Sequence, residues 1–165
     1  MCIRDSATAL QSITLTTSST PSDYLNSDPL TLDKNAIVTF ASRFDPQPYH
    51  LDAEAAEQSI FGGLCASGWH IAALATRLVS ETLLKNEHPF VEMISVNELK
   101  WSRPTFVNEQ ISVRIALDAS TSESPIPGTR AQSLQIDVCN GEGAVVATMS
   151  ATAAIAAEPA PEARP

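Results

Sequence analysis

The stretch Ile71–Ala75 is apolar nearly all the way round a helix, and nothing else in the chain constrains the fold so strongly. Ile71, Leu74, Ala75, Leu78 and Val79 recur at i, i+3 and i+4 spacing, which predicts a helix from about Trp69 to Lys85. At ~1.5 Å per residue it spans about 25 Å. A helix with an apolar first half needs covering on several sides. The flanking segments offer strands for that purpose.

Ile111, Val113, Ile115 and Leu117 alternate with Ser112, Arg114 and Ala116, as a half-buried strand does. Leu134, Ile136 and Val138 alternate in the same way. Asn140–Gly143 reads as a hairpin turn, with a returning strand from Ala144 to Ala154. An earlier strand covers about Met93 to Trp101, and Pro104 interrupts it. One long buried helix with antiparallel hairpins is an α+β layout, a sheet wrapped around the helix.

Ahead of the helix, Asp33 is placed to cap a helix whose apolar face is Ile37, Phe40, Ala41 and Phe44. Pro46 stops it. A residue before proline is pushed out of the α region, so Asp45 and Gln47 are expected to be extended. The segment Asp45-Pro-Gln-Pro-Tyr-His50 then presents a carboxylate and an imidazole from a short, stiff connection. Asp52 caps a short helix through Glu57. Residues 1–28 are read as a loose lead-in, with one strand at Ile13 to Thr16, and Met1 to Ser6 resembles a translated sequencing-adapter scar. Residues 29–155 form the single domain, and the Ala-, Glu- and Pro-rich tail 156–165 is expected to be disordered.

Charge and cysteine usage exclude several functions. The net charge is −9, so nucleic acid and anionic membrane are not expected partners. A phosphorylated ligand remains open, since Arg43, Arg77, Lys100, Arg103 and Arg114 are available and the sequence does not rank them. The three cysteines, Cys2, Cys65 and Cys139, are scattered without a CxxC pair, which fits a reducing cytosol and no zinc site. No signal peptide or membrane span is read in the chain, and a cytoplasmic location is the expectation.

Three elements in order, over roughly Leu32 to Ala154, resemble the MaoC-like dehydratases. They are Asp45-x-x-Pro48-x-His50 with Ala56 beyond it, Phe61-Gly62 with Ser67-Gly68 ahead of the helix, and Leu99-Lys-Trp-Ser-Arg-Pro104 with Asn108-Glu109. Two departures stand out. Phe44 replaces the usual Gly before the Asp, and Gln47 replaces the usual Asn. The resemblance implies the hotdog fold and the (R)-specific hydration of a trans-2-enoyl-CoA. It also implies a homodimer. Coenzyme A would be part of the substrate, with no cofactor and no metal.

The chemistry can also be argued from the residues. Hydration of an enoyl thioester needs a water deprotonated at C3, a proton delivered to C2 and a stabilised thioester oxygen. Asp45 and His50 can share the first two tasks around one water. Gly68 opens the long helix, where backbone N–H groups lack intrahelical partners and the helix dipole is positive. It is the candidate oxyanion donor. Gln47, Ser67, Trp69 and Thr76 are candidate substrate contacts, Thr76 because the resemblance places a hydroxyl there.

Each candidate has a plainer reading. Asp45 alone is a turn former, and His50 alone a satisfied loop histidine. Gly68 serves equally where helix and sheet approach closely. The hydroxyl of Thr76 would bond its own helix. His70 reads as structural and His88 as a surface residue. Three rival functions stand beside hydration. The first is a thioesterase using Glu54, Glu57 or Asp45. The second is nucleophilic catalysis by Cys65 near a helix N-terminus and His70. The third is a non-catalytic acyl-binding module. A metal site from Asp45, His50 and Asp52 is the weakest possibility.

Overall fold

The computed structural model describes residues 24–157. The strand expected at Ile13 to Thr16 and most of the expected tail lie outside them. The folded chain begins ahead of position 29, because β1 (Leu25–Asn26) already pairs with the sheet at Ile115 and Arg114. β2 (Leu30–Thr31) pairs with Ile111 and Gln110 of the same strand.

Helix α1 spans Lys34–Phe44, and the Asp33 carboxylate accepts from the Asn35 N–H at 2.7 Å, as an N-cap should. Ile37 and Ala41 are buried. Phe44 is not. It is 69% exposed and touches only the Phe40 ring among the aromatic side chains, because the helix ends there and turns the last position outward. Gln47 is extended, as the following proline favours. Asp45 leaves the α region at φ −154°, ψ 71° without reaching the extended conformation expected of it, since its N–H still donates to the Ala41 carbonyl as the C-cap of α1.

The connection to His50 is not simply extended. It contains one helical turn, α2 (Pro48–Leu51), with Pro48 at the first position, where its fixed φ and missing N–H suit a helix start. α3 (Ala53–Glu57) follows, and the Asp52 carboxylate accepts from the Ala55 N–H at 2.8 Å.

Helix α4 (Gly68–Lys85) is the centre of the fold. Four long strands follow it: β3 (Phe90–Trp101), β4 (Gln110–Glu123), β5 (Thr129–Asn140) and β6 (Val145–Ala156). With β1 and β2 they make one six-stranded antiparallel sheet in the order β1-β4-β5-β6-β3, with β2 beside β4. β3 precedes β4 in the chain but sits at the far edge, so the segment joining them crosses from one side of the sheet to the other. That crossing carries it past the start of α4.

The sheet's inner face supplies Ile111, Val113, Ile115, Leu134, Ile136 and Val138, all buried with Ile71, Ala75, Leu78, Val79 and Leu83 of α4. Small side chains on β6, Ala151 and Ala153, also face this core. The wrapping is incomplete. Ala73 is exposed and Ala72 half-buried, and both line a groove between α4 and β3 that no other element fills among the described residues. The β5–β6 turn is closed by the Asn140 side chain, which accepts from the N–H groups of Glu142 and Ala144, and Gly143 takes φ +80°. No helix among the described residues is long and apolar enough to cross a membrane.

Leu83 is fully buried in the last turns of α4, away from the cleft described below. Leu83→Ala is expected to cost about 3 kcal/mol, the usual penalty for emptying a leucine site in a packed core. Urea unfolding would read this as a lower midpoint at unchanged slope.

Candidate functional site

Asp45 and His50 meet across the turn between α1 and α2. His50 Nε2 stands 3.6 Å from Asp45 Oδ2. The imidazole is buried, and the carboxylate keeps a quarter of its side-chain surface in solvent. Nδ1 of His50 lies 2.7 Å from the Cys65 carbonyl oxygen, which can only accept. Nδ1 therefore carries a hydrogen, and in the neutral ring Nε2 keeps its lone pair toward Asp45. A direct hydrogen bond is too long at this separation. One water can reach both atoms at about 2.8 Å.

The loop before α4 holds this arrangement. Cys65 N–H donates to the Tyr49 carbonyl at 3.4 Å, and Ala66 N–H to the Thr105 carbonyl at 2.8 Å. Cys65 and Phe106 form a β-bridge, which ties the loop to the crossing segment between β3 and β4. Ser67 is almost fully buried. Its hydroxyl donates to Asp45 Oδ2 at 2.7 Å and accepts from the Trp69 N–H at 3.2 Å. One side chain thus caps α4 and orients the carboxylate.

Gly68 is the first residue of α4, so its N–H has no partner within the helix. A Cβ there would lie 2.8 Å from the Trp101 indole, whose Nε1–H donates to the Gly68 carbonyl at 2.9 Å. Trp101 therefore needs a glycine at this point whatever else Gly68 does.

These groups border an open cleft of about 420 Å³. Asp45, His50, Gly68 and Trp69 all line it, and Ser67 lies directly behind Asp45. Two expected contacts are elsewhere. Gln47 is exposed and does not reach the cleft, since it serves as the backbone N-cap of α2. Thr76 lies two turns along α4 in a separate groove against β3, and its hydroxyl donates to the Ala72 carbonyl at 3.0 Å. The plainer reading of Thr76 is the one the structure has.

Several lining residues stood in the sequence motifs, Arg103 also as one of five unranked cations, but none was singled out there as a wall of the cleft. Tyr49 and Phe61 pack ring to ring beside His50. Trp101, Arg103 and Thr105 come from the crossing segment, whose path depends on the sheet order.

The rival assignments fare differently. Glu54 and Glu57 are exposed on or beside α3 and do not line the cleft. Asp45 is the one carboxylate on its wall among the described residues. Cys65 is buried, and burial pushes its thiol above the usual range, the reverse of an activated nucleophile. The Asp52 carboxylate caps α3, and among the described residues no three His, Cys, Asp or Glu side chains cluster to hold a metal ion. His88 is half-buried rather than a surface residue.

His70 is buried, stacked on Phe40 at 4.7 Å between ring centroids, and its Nδ1 has no partner. Burial lowers its pKa from the ordinary 6.5. In the unfolded chain it takes a proton near pH 6.5, and in the folded one only at lower pH. Stability contributed at this position is therefore complete above pH 6.5 and declines as pH falls through that value. His70→Leu is expected to flatten the fall in urea-unfolding free energy between pH 7 and pH 5, compared with the parent.

Comparison with known proteins fits this picture. A family model described as MaoC like domain matches residues 16–131. The crystal structure of a MaoC-like dehydratase from Rhodospirillum rubrum is 35% identical, with a TM-score of 0.71. That match covers 84% of this chain and 93% of the other. An (R)-hydratase from A. caviae involved in PHA biosynthesis shares the fold at 19% identity and a TM-score of 0.62, over 79% of this chain and 92% of its own. An uncharacterized Bacillus subtilis protein, YdeM, is 28% identical over 82 residues, which is 50% of this chain and 57% of YdeM. The chain thus matches little more than half the length of that curated relative.

Proposed function

The chain belongs to the MaoC-like domain family, and from that premise we propose that it reversibly hydrates a trans-2-enoyl-CoA to the (R)-3-hydroxyacyl-CoA. The observation that carries the reading is the meeting of Asp45 and His50 at 3.6 Å on the wall of a cleft that Gly68, the first residue of α4, also lines. In this reading one water donates to both His50 Nε2 and the Asp45 carboxylate. As its oxygen bonds to C3, one O–H bond breaks and the proton passes to the pair. The C2=C3 electrons move toward the thioester oxygen, which the Gly68 N–H stabilises. The pair then returns a proton to C2. Water supplies both the hydroxyl and a proton, so the balance closes without a cofactor or metal. Delivery from one face makes the addition syn.

Ser67 keeps Asp45 aimed at the water by donating to Oδ2. Trp69 forms part of the wall for the acyl group. Asp45→Asn and His50→Gln are each expected to lower kcat by roughly 10²- to 10⁴-fold, the range lost with a general acid or base. The measurement is loss of the conjugated thioester absorbance with crotonyl-CoA. Near-parent rates in either variant would refute the assignment. Release of free CoA without hydration would favour the thioesterase.

We propose a homodimer as the working form. β3 is an edge strand of the sheet, and Val91, Val96 and Trp101 on it are large and exposed. An open apolar edge is a template for a second chain. Light scattering is expected to give a mass near twice 17.6 kDa. Val96→Lys is expected to shift the protein toward the monomer. The cytosol is the compartment we propose, since Cys65 and Cys139 are both free and buried.

A further inference from the structure

We infer that Arg103 binds the phosphate on the carrier arm of the substrate, so that this protein selects thioesters of phosphopantetheine over phosphate-free ones. The inference rests on the thioester reading and deepens it, by naming what the cleft recognises beyond the reacting atoms.

Among the described residues, Arg103 is the only lysine or arginine on the wall of the cleft that holds Asp45 and His50. Its backbone is fixed. The N–H groups of Ser102 and Arg103 both donate to the Val146 carbonyl, at 2.8 and 3.3 Å. Pro104 disfavours the α region at Arg103, which narrows its backbone further. Beyond it, Thr105 is buried and accepts the Ala66 N–H. A cation thus stands on a rigid base at the lip, while the residue itself is exposed.

Its partners are as informative as its place. Arg77 pairs with Glu81, Lys85 with Asp28, Lys100 with Glu98 and Arg114 with Asp137. Arg103, like Lys34, Arg43 and Arg130, makes no ion pair among the described residues, and of these four it alone lines the cleft. A chain of net charge −9 repels a polyanionic ligand at long range. An unpaired guanidinium at the mouth offsets that repulsion where the ligand enters. Its planar fork suits a phosphate, which it can hold through two N–H groups.

Exposure decides which anion. In this reading the acyl group runs inward past the reacting carbons, where a carboxylate would need a buried cation, and the one cation on the cleft wall, Arg103, is exposed. The carrier arm runs outward through the lip, and its phosphate stays partly in water beside Arg103.

The test compares crotonyl thioesters of pantetheine, pantetheine 4′-phosphate and CoA. The parent is expected to prefer both phosphate-bearing thioesters over the pantetheine thioester by about ten-fold in kcat/KM, equivalent to ~1.4 kcal/mol. The difference should lie in KM and shrink as salt rises. Arg103→Gln is expected to remove most of that preference, and Arg103→Lys to retain part of it. A preference left intact in Arg103→Gln, with all three substrates slowed alike, overturns the inference and assigns Arg103 to structure. A gain with CoA alone also overturns it, since the contact would then be with the nucleotide end. Calorimetric titration of the parent with pantetheine and with pantetheine 4′-phosphate decides the matter independently of turnover, and equal affinities overturn the inference. Failure of the parent to hydrate any thioester sinks the proposed reaction, while the titration still decides Arg103.

Discussion

The hydrogen bond from His50 Nδ1 to the Cys65 carbonyl is the contact on which the site depends. It joins α2 to the loop that leads into α4. It also sets the tautomer, so that Nε2 rather than Nδ1 offers a lone pair to the cleft. The acceptor is itself held, by a hydrogen bond to Tyr49 on one side and the Ala66–Thr105 hydrogen bond on the other. The imidazole is therefore positioned by backbone groups from three segments distant in the chain. A backbone acceptor has no rotamer to lose, which makes it a stiffer partner than a side chain would be.

Ser67 is the second joint. A hydroxyl has one hydrogen and two lone pairs, and Ser67 spends the hydrogen on Asp45 while a lone pair caps α4. The carboxylate's orientation and the start of the central helix are thus linked through one buried oxygen. α4 is in turn fixed by Ile71, Ala75, Leu78 and Val79 packing on the sheet. Core packing reaches Asp45 and His50 through this route, and the loop need not be rigid by itself.

Much of the fold was legible because it rests on short-range rules. The strand alternations at Ile111–Leu117 and Leu134–Val138, the Asp33 and Asp52 caps and the Asn140–Gly143 turn each follow from a side chain acting within a few residues. Asp45 and His50 were legible as a pair for the same reason, being five positions apart across two prolines. The misses share the opposite cause. The turn of α2 depends on Pro48 starting a helix rather than only ending one, and local pattern does not choose between these. Phe44 fits the helical spacing but falls where α1 stops. Thr76 sits on the correct helix yet faces β3, and only the relation of β3 to α4 reveals that. Trp101 and Arg103 reach the cleft because β3 lies at the far edge of the sheet, a fact of strand order that no window of sequence contains.

Gly68 shows how structural and chemical demands converge on one residue. Trp101 rests against its Cα and donates to its carbonyl, so a side chain would force the indole away. That contact alone accounts for glycine, and it engages the carbonyl rather than the N–H. The two readings that compete on sequence are therefore compatible in space. The indole holds the first carbonyl of α4 and also forms part of the cleft wall. Removing it would disturb both the shape that receives a ligand and the first turn of the helix that would bind the thioester oxygen. A change at Trp101 should accordingly be read through its effect on Gly68 before any direct contact with substrate is inferred.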